Sequence, residues 1–301
     1  MNIRVQGVSQ RKKKKKEWSL FFLALPLMML VFLFSYAPLF GWLLSLFEYV
    51  PGTPIFQNKF VGLKYFRLLF TGRDMRRAIG NTLVFSSVKL LLLSMPMLFA
   101  IMLNEITHTR FRKAVQTMTT LPYFISWIIV YSFAFSIFGG DGLLSQIFGV
   151  RSNMLTDINN VYIFQSALTL WKGLGWDAII YIAALAGIPQ ELYEAAYVDG
   201  AGRFKSAIHV TLPGLMPTFI VLLLLFVANF INGGMDQYFV FKNSLVMDRI
   251  ETLELYSYRL GLQLSDYSFA TTVGIFKSVI SVTLLFSTNA LAKKIRGQAI
   301  I

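Results

Sequence analysis

Long apolar segments alternate with shorter polar segments along most of the chain. An α-helix needs about 20 apolar residues to cross the roughly 30 Å hydrocarbon core of a bilayer. Six segments reach that length, and they cover residues 19–47, 81–103, 115–138, 161–188, 214–232 and 268–292. The pattern therefore predicts an all-α membrane protein with six transmembrane helices.

The segments between these spans differ in character. Residues 60–70 place Phe60, Leu63, Phe66 and Phe70 at helical spacing, which predicts an interfacial helix, although a solvated loop fits equally well. Residues 139–160 and 233–267 are polar and contain several glycines, so they suit contact with a soluble partner, with ordinary solvated loops as the alternative.

The distribution of basic residues predicts the orientation of the chain. Six spans place both termini on one side, and a run of six basic residues at 11–16 directly precedes the first span. On this topology the cytoplasmic segments hold 15 Lys and Arg in 63 residues, whereas the external loops hold 10 in 90. Both termini are therefore predicted to be cytoplasmic, with a basic N-terminus at 1–18, one membrane domain at 19–292 and a tail at 293–301.

Composition supports the membrane assignment and narrows the chemistry. The 301 residues are 55% hydrophobic and only 14% charged, against about 25% charged in soluble domains. The absence of cysteine excludes disulfides, thiolate metal sites and a cysteine nucleophile. The net charge of +13 follows mostly from the topology and favours attraction to anionic membrane lipid, so no nucleic-acid partner is expected.

The segment 189–213, between the fourth and fifth spans, is predicted to be structured. Pro189 suits a first helical turn, and Glu194 lies early in a helix of about three turns. Either Gly200 or Gly202 can turn the chain at its end. A second short helix is predicted to begin at Arg203 and to end before Pro213. From these residues alone, a docking elbow for another protein and a plain amphipathic connector both remain open.

One motif in this segment carries a family resemblance. The pattern Glu194-Ala195-Ala196, then Gly200, then Val210-x-Leu212-Pro213 resembles the EAA loop of permease subunits of binding-protein-dependent ABC importers. The segments 60–66, 81–83, 121–127, 171–176, 180–185 and 289–294 resemble the sugar-importer branch, particularly permeases for complex oligosaccharides and polysaccharides. Tyr123 stands where that branch has histidine.

The resemblance implies a complex in which this chain forms half of a pore. A second, homologous permease would complete the heterodimer, two ATPase subunits would bind the elbow, and an extracellular solute-binding protein would deliver the sugar. The residues implied in ATPase coupling are Glu194, Ala195, Ala196, Asp199, Gly200, Ala201, Leu212 and Pro213. The expected location is a bacterial plasma membrane, with the chain as a multi-pass protein.

The chain itself is expected to catalyse nothing and to bind no cofactor. No glycine is followed by lysine, so the sequence lacks a P-loop, and ATP and Mg²⁺ would bind the partner ATPases. No metal site is expected, because His108 and His209 are the only histidines and are isolated from each other.

A sugar pathway through the spans needs hydrogen-bonding groups and aromatic faces. The candidates are Trp127, Tyr131, Trp171, Lys172, Trp176, Asp177, Asn229 and Asn232. Interfacial anchoring of the aromatic rings, or an ion pair between Lys172 and Asp177, is the structural alternative. An excess of lysine over aspartate in the spans, with Lys89, Lys172 and Lys277 against Asp177, raises the hypothesis of an acidic sugar.

Two other functions remain compatible with the sequence. An ABC permease for another solute, such as a phosphoglycerol or a peptide, would share the elbow. A membrane channel or membrane-embedded enzyme is the third class, although the sequence shows neither a ring of like charges nor a buried catalytic constellation.

Overall fold

The computed structural model describes residues 21–149 and 153–296. Within that part of the chain, six helical segments are long and apolar enough to cross a membrane, which confirms the predicted number of spans. They cover Phe21–Leu46, Arg73–Asn104, Trp127–Phe148, Val161–Leu185, Arg203–Ala228 and Tyr267–Ala290. The predicted basic N-terminus at 1–18 lies outside the described residues.

Fourteen helices are distinguished in the described residues. They are α1 (Phe21–Leu46), α2 (Lys64–Thr71), α3 (Arg73–Leu92), α4 (Met95–Asn104), α5 (Thr109–Thr120), α6 (Trp127–Phe138), α7 (Leu143–Phe148), α8 (Val161–Leu185), α9 (Gln190–Val198), α10 (Arg203–Ala228), α11 (Met235–Phe241), α12 (Met247–Ile250), α13 (Leu253–Tyr258) and α14 (Tyr267–Arg296). α1 is π-helical over Phe32–Tyr36 and 3-10 helical over Ala37–Leu46, and α10 is π-helical over Ala207–Thr211. Shorter turns are the 3-10 helices Ile55–Gln57 and Leu121–Phe124 and the π-helix Arg259–Gln263.

Two short strands follow the first span. β1 (Phe47–Glu48) pairs antiparallel with β2 (Lys59–Phe60), so that Phe47 faces Phe60 across the ladder. This hairpin leads into α2, whose buried side chains are Tyr65 and Leu69. Phe60, Leu63 and Phe70 are instead at least 63% exposed, so the predicted apolar face points away from the protein. The helix is confirmed from Lys64 onwards, and its position at the membrane interface stays a prediction.

The predicted third span, 115–138, is wrong as a single helix. α5 ends at Thr120, a 3-10 turn contains Pro122, and the backbone is extended at Ile125 and Ser126 before α6 begins. Pro122 supplies no N–H to the helical ladder, and the Ser126 hydroxyl caps α6 by accepting from the N–H of Ile129 at 3.4 Å. Because the residues on both sides of this break are apolar, the hydropathy pattern does not show it.

The second elbow helix also differs from its prediction. It does not end before Pro213, because α10 continues from Arg203 through Pro213 to Ala228. The π-helical turns at Ala207–Thr211 directly precede the proline. A widened turn accommodates a proline ring that would otherwise clash with the carbonyl four residues earlier. The elbow is thereby continuous with the fifth span.

The last helix extends further than the sequence predicts. α14 continues to Arg296, so the predicted boundary between membrane domain and tail at 293 lies within a helix. The orientation of both termini towards the cytoplasm stays a prediction.

Three apolar clusters hold the helices together. One lies under α11 and α12 around Phe85 and Tyr238, and a second joins α2, α3 and α14 around Leu69 and Val273. A third, around Tyr181, packs α4, α8 and α10. In contrast, none of the residues in the most apolar stretch of α1 is buried in the protein. That exposure suits a helix whose neighbours are lipid or another subunit.

Candidate functional site

A polar cavity lies between two breaks in the helical structure. Its volume is about 760 Å³, and its walls come from residues 123–128, from α8 and from α11. The first break separates α5 from α6, and the second, at residues 229–234, separates α10 from α11. Irregular backbone at membrane depth occurs where it is buried in protein or lines a cavity.

Lysine side chains satisfy backbone carbonyls at both breaks. The Nζ atom of Lys172 donates to the carbonyl oxygens of Pro122 at 3.1 Å and of Tyr123 at 2.5 Å. At the second break, Lys89 Nζ donates to the carbonyl oxygen of Gly233 at 2.9 Å. These lysines therefore replace hydrogen bonds that the helical ladders lose, which is one reason for their presence within spans.

Aromatic rings form one wall beside Lys172. The ring of Tyr123 stacks on that of Trp176 with centroids 4.5 Å apart and planes inclined by 4°. Lys172 Nζ lies 5.3 Å from the centroid of Tyr123 and 5.5 Å from that of Trp127. The lysine thus contacts aromatic faces and carbonyls, and no ion pair joins it to Asp177 in the described part of the chain.

Two carboxylates line the same cavity. Asp177 projects from α8 beside Gly173, where a Cβ atom would lie 3.2 Å from the Oδ2 atom of Asp177. Asp236 lies in the first turn of α11 and also lines this cavity. It is not among the pathway residues predicted from sequence, because its segment is predicted to be an external loop. The pair of glycines directly before α11 was the available signal for a break in this segment.

A smaller cavity continues from the first. Its volume is about 320 Å³, and the two cavities share Thr169, Gly173 and Asp177. The hydroxyl of Thr169 donates to Gln237 Oε1 at 2.7 Å, and the Gln237 amide donates to Gln165 Oε1 at 2.8 Å. A hydrogen-bonded polar seam therefore runs from α8 to α11 beside Asp177.

The structure brings together only part of the predicted sugar pathway. Trp127, Lys172 and Asp177 line the polar cavity, and Trp176 contacts it through Tyr123. Trp171 instead lines a second, mainly apolar cavity of about 870 Å³ between α6 and α8, which shares Ile125 with the polar cavity.

Three predicted pathway residues lie elsewhere. Tyr131 packs against Phe241, with ring centroids 5.1 Å apart. At the end of α10, the Asn229 amide donates to the carbonyl oxygen of Leu225 at 3.0 Å, and Asn232 donates to Asn229 at 3.4 Å. None of the three is among the residues that line the polar cavity.

The charge balance differs from that counted along the spans. Lys277 forms an ion pair with Glu254 at 2.8 Å, so its charge is compensated at the start of α13. Asp236 adds a carboxylate to the polar cavity. The excess of two positive charges therefore does not describe the cavity, which combines one lysine with two aspartates, and the acidic-sugar hypothesis loses this support.

The predicted elbow forms a compact helix and turn. α9 ends in a left-handed Gly200 (φ 74°), and the N–H of Ala201 donates to the carbonyl oxygen of Ala196 at 2.9 Å. This pattern is a Schellman motif, in which glycine is favoured because it adopts positive φ without a Cβ penalty. Of the two glycines considered in the sequence, Gly200 is therefore the one that turns the chain at the end of α9.

The surface of the elbow is open. Glu194, Ala195 and Asp199 are exposed on α9, whereas Ala196 and Ala201 are half-buried. Apolar side chains beside them are also exposed, with Tyr197 at 81% and Phe204 at 79%. Leu212 and Pro213 lie within α10. Such a mixed apolar and acidic surface suits contact with another protein.

The two histidines have local structural partners. His108 Nδ1 accepts from the N–H of Phe111 at 3.2 Å as the N-cap of α5. The Nδ1 atom of His209 lies 2.9 Å from the carbonyl oxygen of Lys205. Across residues 21–149 and 153–296, no group of three or more His, Asp or Glu is placed to hold a metal ion.

Comparison with known proteins gives consistent matches over nearly the whole chain. Residues 93–297 match the family described as binding-protein-dependent transport system inner membrane component. LplB of Bacillus subtilis is 35% identical over 96% of this chain and 93% of its own length. The polygalacturonan/rhamnogalacturonan transport system permease protein YteP of the same organism is 33% identical, over 98% of this chain and 97% of its own.

Solved structures give the same result. A chain in the crystal structure of a bacterial ABC transporter involved in the import of the acidic polysaccharide alginate superposes with a TM-score of 0.87 at 31% identity. The match covers 96% of this chain and 99% of that chain. A second structure of a bacterial alginate ABC transporter, in complex with an alginate pentasaccharide-bound periplasmic protein, gives a TM-score of 0.88 with the same coverage.

Proposed function

Because the chain belongs to the family of binding-protein-dependent transport system inner membrane components, and is thus a multi-pass permease subunit of an ABC importer, we propose that it imports an oligosaccharide derived from a polysaccharide. It forms half of the pore. The polar cavity at the two helix breaks carries this proposal, because it combines aromatic faces with carboxylates at membrane depth. The names of YteP and of the alginate transporters support a sugar polymer as the source.

The cavity suits a polyol. The ring faces of Tyr123 and Trp127 can pack against the apolar face of a sugar ring, while Asp177 and Asp236 can accept hydrogen bonds from hydroxyl groups. Lys172 remains beside the rings and can donate to a hydroxyl or a carboxylate of the sugar. Acidic and neutral sugars are both compatible with this arrangement.

The remaining subunits of the importer are part of the proposal. A second, homologous permease completes the pore, and an extracellular solute-binding protein delivers the sugar. Two ATPase subunits bind ATP and Mg²⁺ and contact the elbow, with Glu194 at the contact and with Ala195 and Ala196 allowing a close fit. ATP-driven closure of the ATPases moves the elbow and switches the pore between inward-facing and outward-facing states.

Uptake of labelled oligosaccharides by cells that express the complete importer tests the sugar assignment. The panel contains oligogalacturonides, alginate fragments and neutral arabino-oligosaccharides, with a phosphoglycerol and a peptide as competing solutes. We expect uptake of at least one sugar. Uptake of phosphoglycerol or peptide without any sugar would contradict the proposal.

Two tryptophan variants test the cavity within the same assay. Trp127→Ala removes an aromatic face from the polar cavity, so uptake is expected to fall about tenfold, equivalent to roughly 1.4 kcal/mol. Trp171→Ala is the matched control, because Trp171 faces the mainly apolar cavity. Equal loss of uptake in the two variants at equal expression would show that the polar cavity is not the pathway.

A further inference from the structure

The elbow helix α9 is attached to α10 by a single hydrogen bond between side chains. The hydroxyls of Tyr193 and Thr211 are 3.1 Å apart, and this is the one side-chain hydrogen bond that α9 makes in the described part of the chain. Tyr193 is half-buried and Thr211 is only 2% exposed. The bond is therefore shielded from water, which strengthens its contribution relative to an exposed bond.

A second contact holds the elbow just before α9 begins. Ile188, just before α9, lies against Gly214 of α10, where an added Cβ atom would be only 2.7 Å from Ile188 Cδ1. Gly214 thus permits a close approach between the start of α9 and the body of α10. Together with the tyrosine bond, this contact holds α9 against the fifth span near both Ile188 and Tyr193.

The direct connection from α9 to α10 is held locally by the Schellman turn, in which the N–H of Ala201 donates to the carbonyl oxygen of Ala196. Gly200 and Gly202 lie in this connection, and an added Cβ on either glycine would meet no atom within 4 Å. Most of the α9 surface is exposed, so few other contacts oppose a pivot about these glycines. The position of α9 relative to α10 therefore depends on this turn and on the two lateral attachments.

We propose that the hydrogen bond between Tyr193 and Thr211 is a positioning latch that makes α9 and α10 move as one unit. This inference rests on the proposed function, in which the ATPases push on α9. α10 packs with α4 and α8 through the cluster around Leu215 and Tyr181, so a latched elbow passes the displacement directly to three spans. Without the latch, α9 pivots at Gly200–Gly202 and part of the ATPase movement is lost.

Transport per ATP in the reconstituted complete importer tests the latch. Tyr193→Phe and Thr211→Val each remove one hydroxyl while keeping the shape of the side chain. We expect the number of sugars transported per ATP hydrolysed to fall about fivefold in each variant, while assembly and ATP hydrolysis are retained. In the double variant the number of sugars transported per ATP is expected to be no lower than in either single variant, because both changes remove the same bond.

Thr283→Val provides the matched control away from the elbow. The exposed Thr283 hydroxyl donates to the carbonyl oxygen of Val279 within α14, so its loss is expected to leave transport per ATP unchanged. An unchanged ratio in Tyr193→Phe, or the same fall in Thr283→Val, would overturn the latch.

A distance measurement tests the latch without relying on the transport assignment. The chain has no cysteine, so spin labels on Val198→Cys and Leu225→Cys report only the position of α9 relative to α10. In the full chain in lipid bilayers, we expect a narrow distance distribution that broadens when Tyr193→Phe is added. Equal widths would refute the latch. If Tyr193→Phe broadens the distance distribution but the complete importer shows no ATP-driven transport, only the proposed function is refuted.

Discussion

At the scale of single residues, Gly175 shows how a neighbouring helix limits which side chain fits at a position within a span. A Cβ atom on Gly175 would lie 2.3 Å from the carbonyl carbon and oxygen of Thr119 and 2.6 Å from the N atom of Thr120. These are backbone atoms of α5 and its end, so they cannot rotate away as a side chain could. Gly175 therefore permits a close approach between α8 and the end of α5.

We expect Gly175→Ala to lower the stability of the folded protein by about 1–3 kcal/mol, because α5 and α8 must separate. Thermal unfolding of the purified chain in mild detergent measures the change. Gly274→Ala in α14 is the matched control, since its added Cβ would meet nothing within 4 Å and its stability should stay equal or rise slightly. A Gly175→Ala protein as stable as the control would contradict the close approach.

At the scale of elements, hydropathy predicted the six spans because each is a long apolar run, but it could not locate their breaks. Residues on both sides of Pro122 are apolar, so the change from α5 to α6 leaves no trace in the hydrophobic pattern. The segment 233–267 shows the opposite failure. Its short helices α11, α12 and α13 lack the length for a clear periodicity, yet they bury Ile250, Leu253 and Leu255 almost completely.

A buried ion pair anchors this segment. Glu251 is 1% exposed, and its two carboxylate oxygens accept from Arg259 at 2.6 and 3.1 Å. Burial alone would lower the pKa of Arg259, but hydrogen bonding and charge from Glu251, with the charge of Asp74, raise it. The arginine is therefore held in its charged form beside the carboxylate.

We expect Glu251→Gln to destabilise the protein by about 1.5–3 kcal/mol, because Arg259 would lose its charged hydrogen-bond partner and keep the longer contact with Asp74 at 3.6 Å. Asp248→Asn is the matched control: it removes a partner of Arg77, but the Asp248 side chain is 63% exposed, so the loss should be below about 1 kcal/mol. Thermal unfolding in detergent compares the two. Similar losses would show that segment 233–267 is not held by the buried pair.

At the scale of the whole molecule, the chain presents two surfaces that it does not complete by itself. α1 exposes apolar side chains along its length, and the elbow exposes Glu194 beside Tyr197 and Phe204. The short helix α9 and its turn were predictable from sequence, because Gly200 closes the helix through hydrogen bonds to nearby residues. The cavity was only partly predictable, since contact between Lys172 and the carbonyl of Pro122 joins residues 50 positions apart.

Affinity purification of the chain from its native membrane tests the central claim, an ATP-driven permease coupled through α9. Glu194→Lys reverses an exposed charge on α9, while Glu105→Lys does so at an exposed site directly after α4, on the predicted cytoplasmic side. The account predicts that wild type and Glu105→Lys retain an ATPase and a second permease, and that Glu194→Lys loses the ATPase alone. Purification of the wild-type chain without either partner in mild detergent would contradict it.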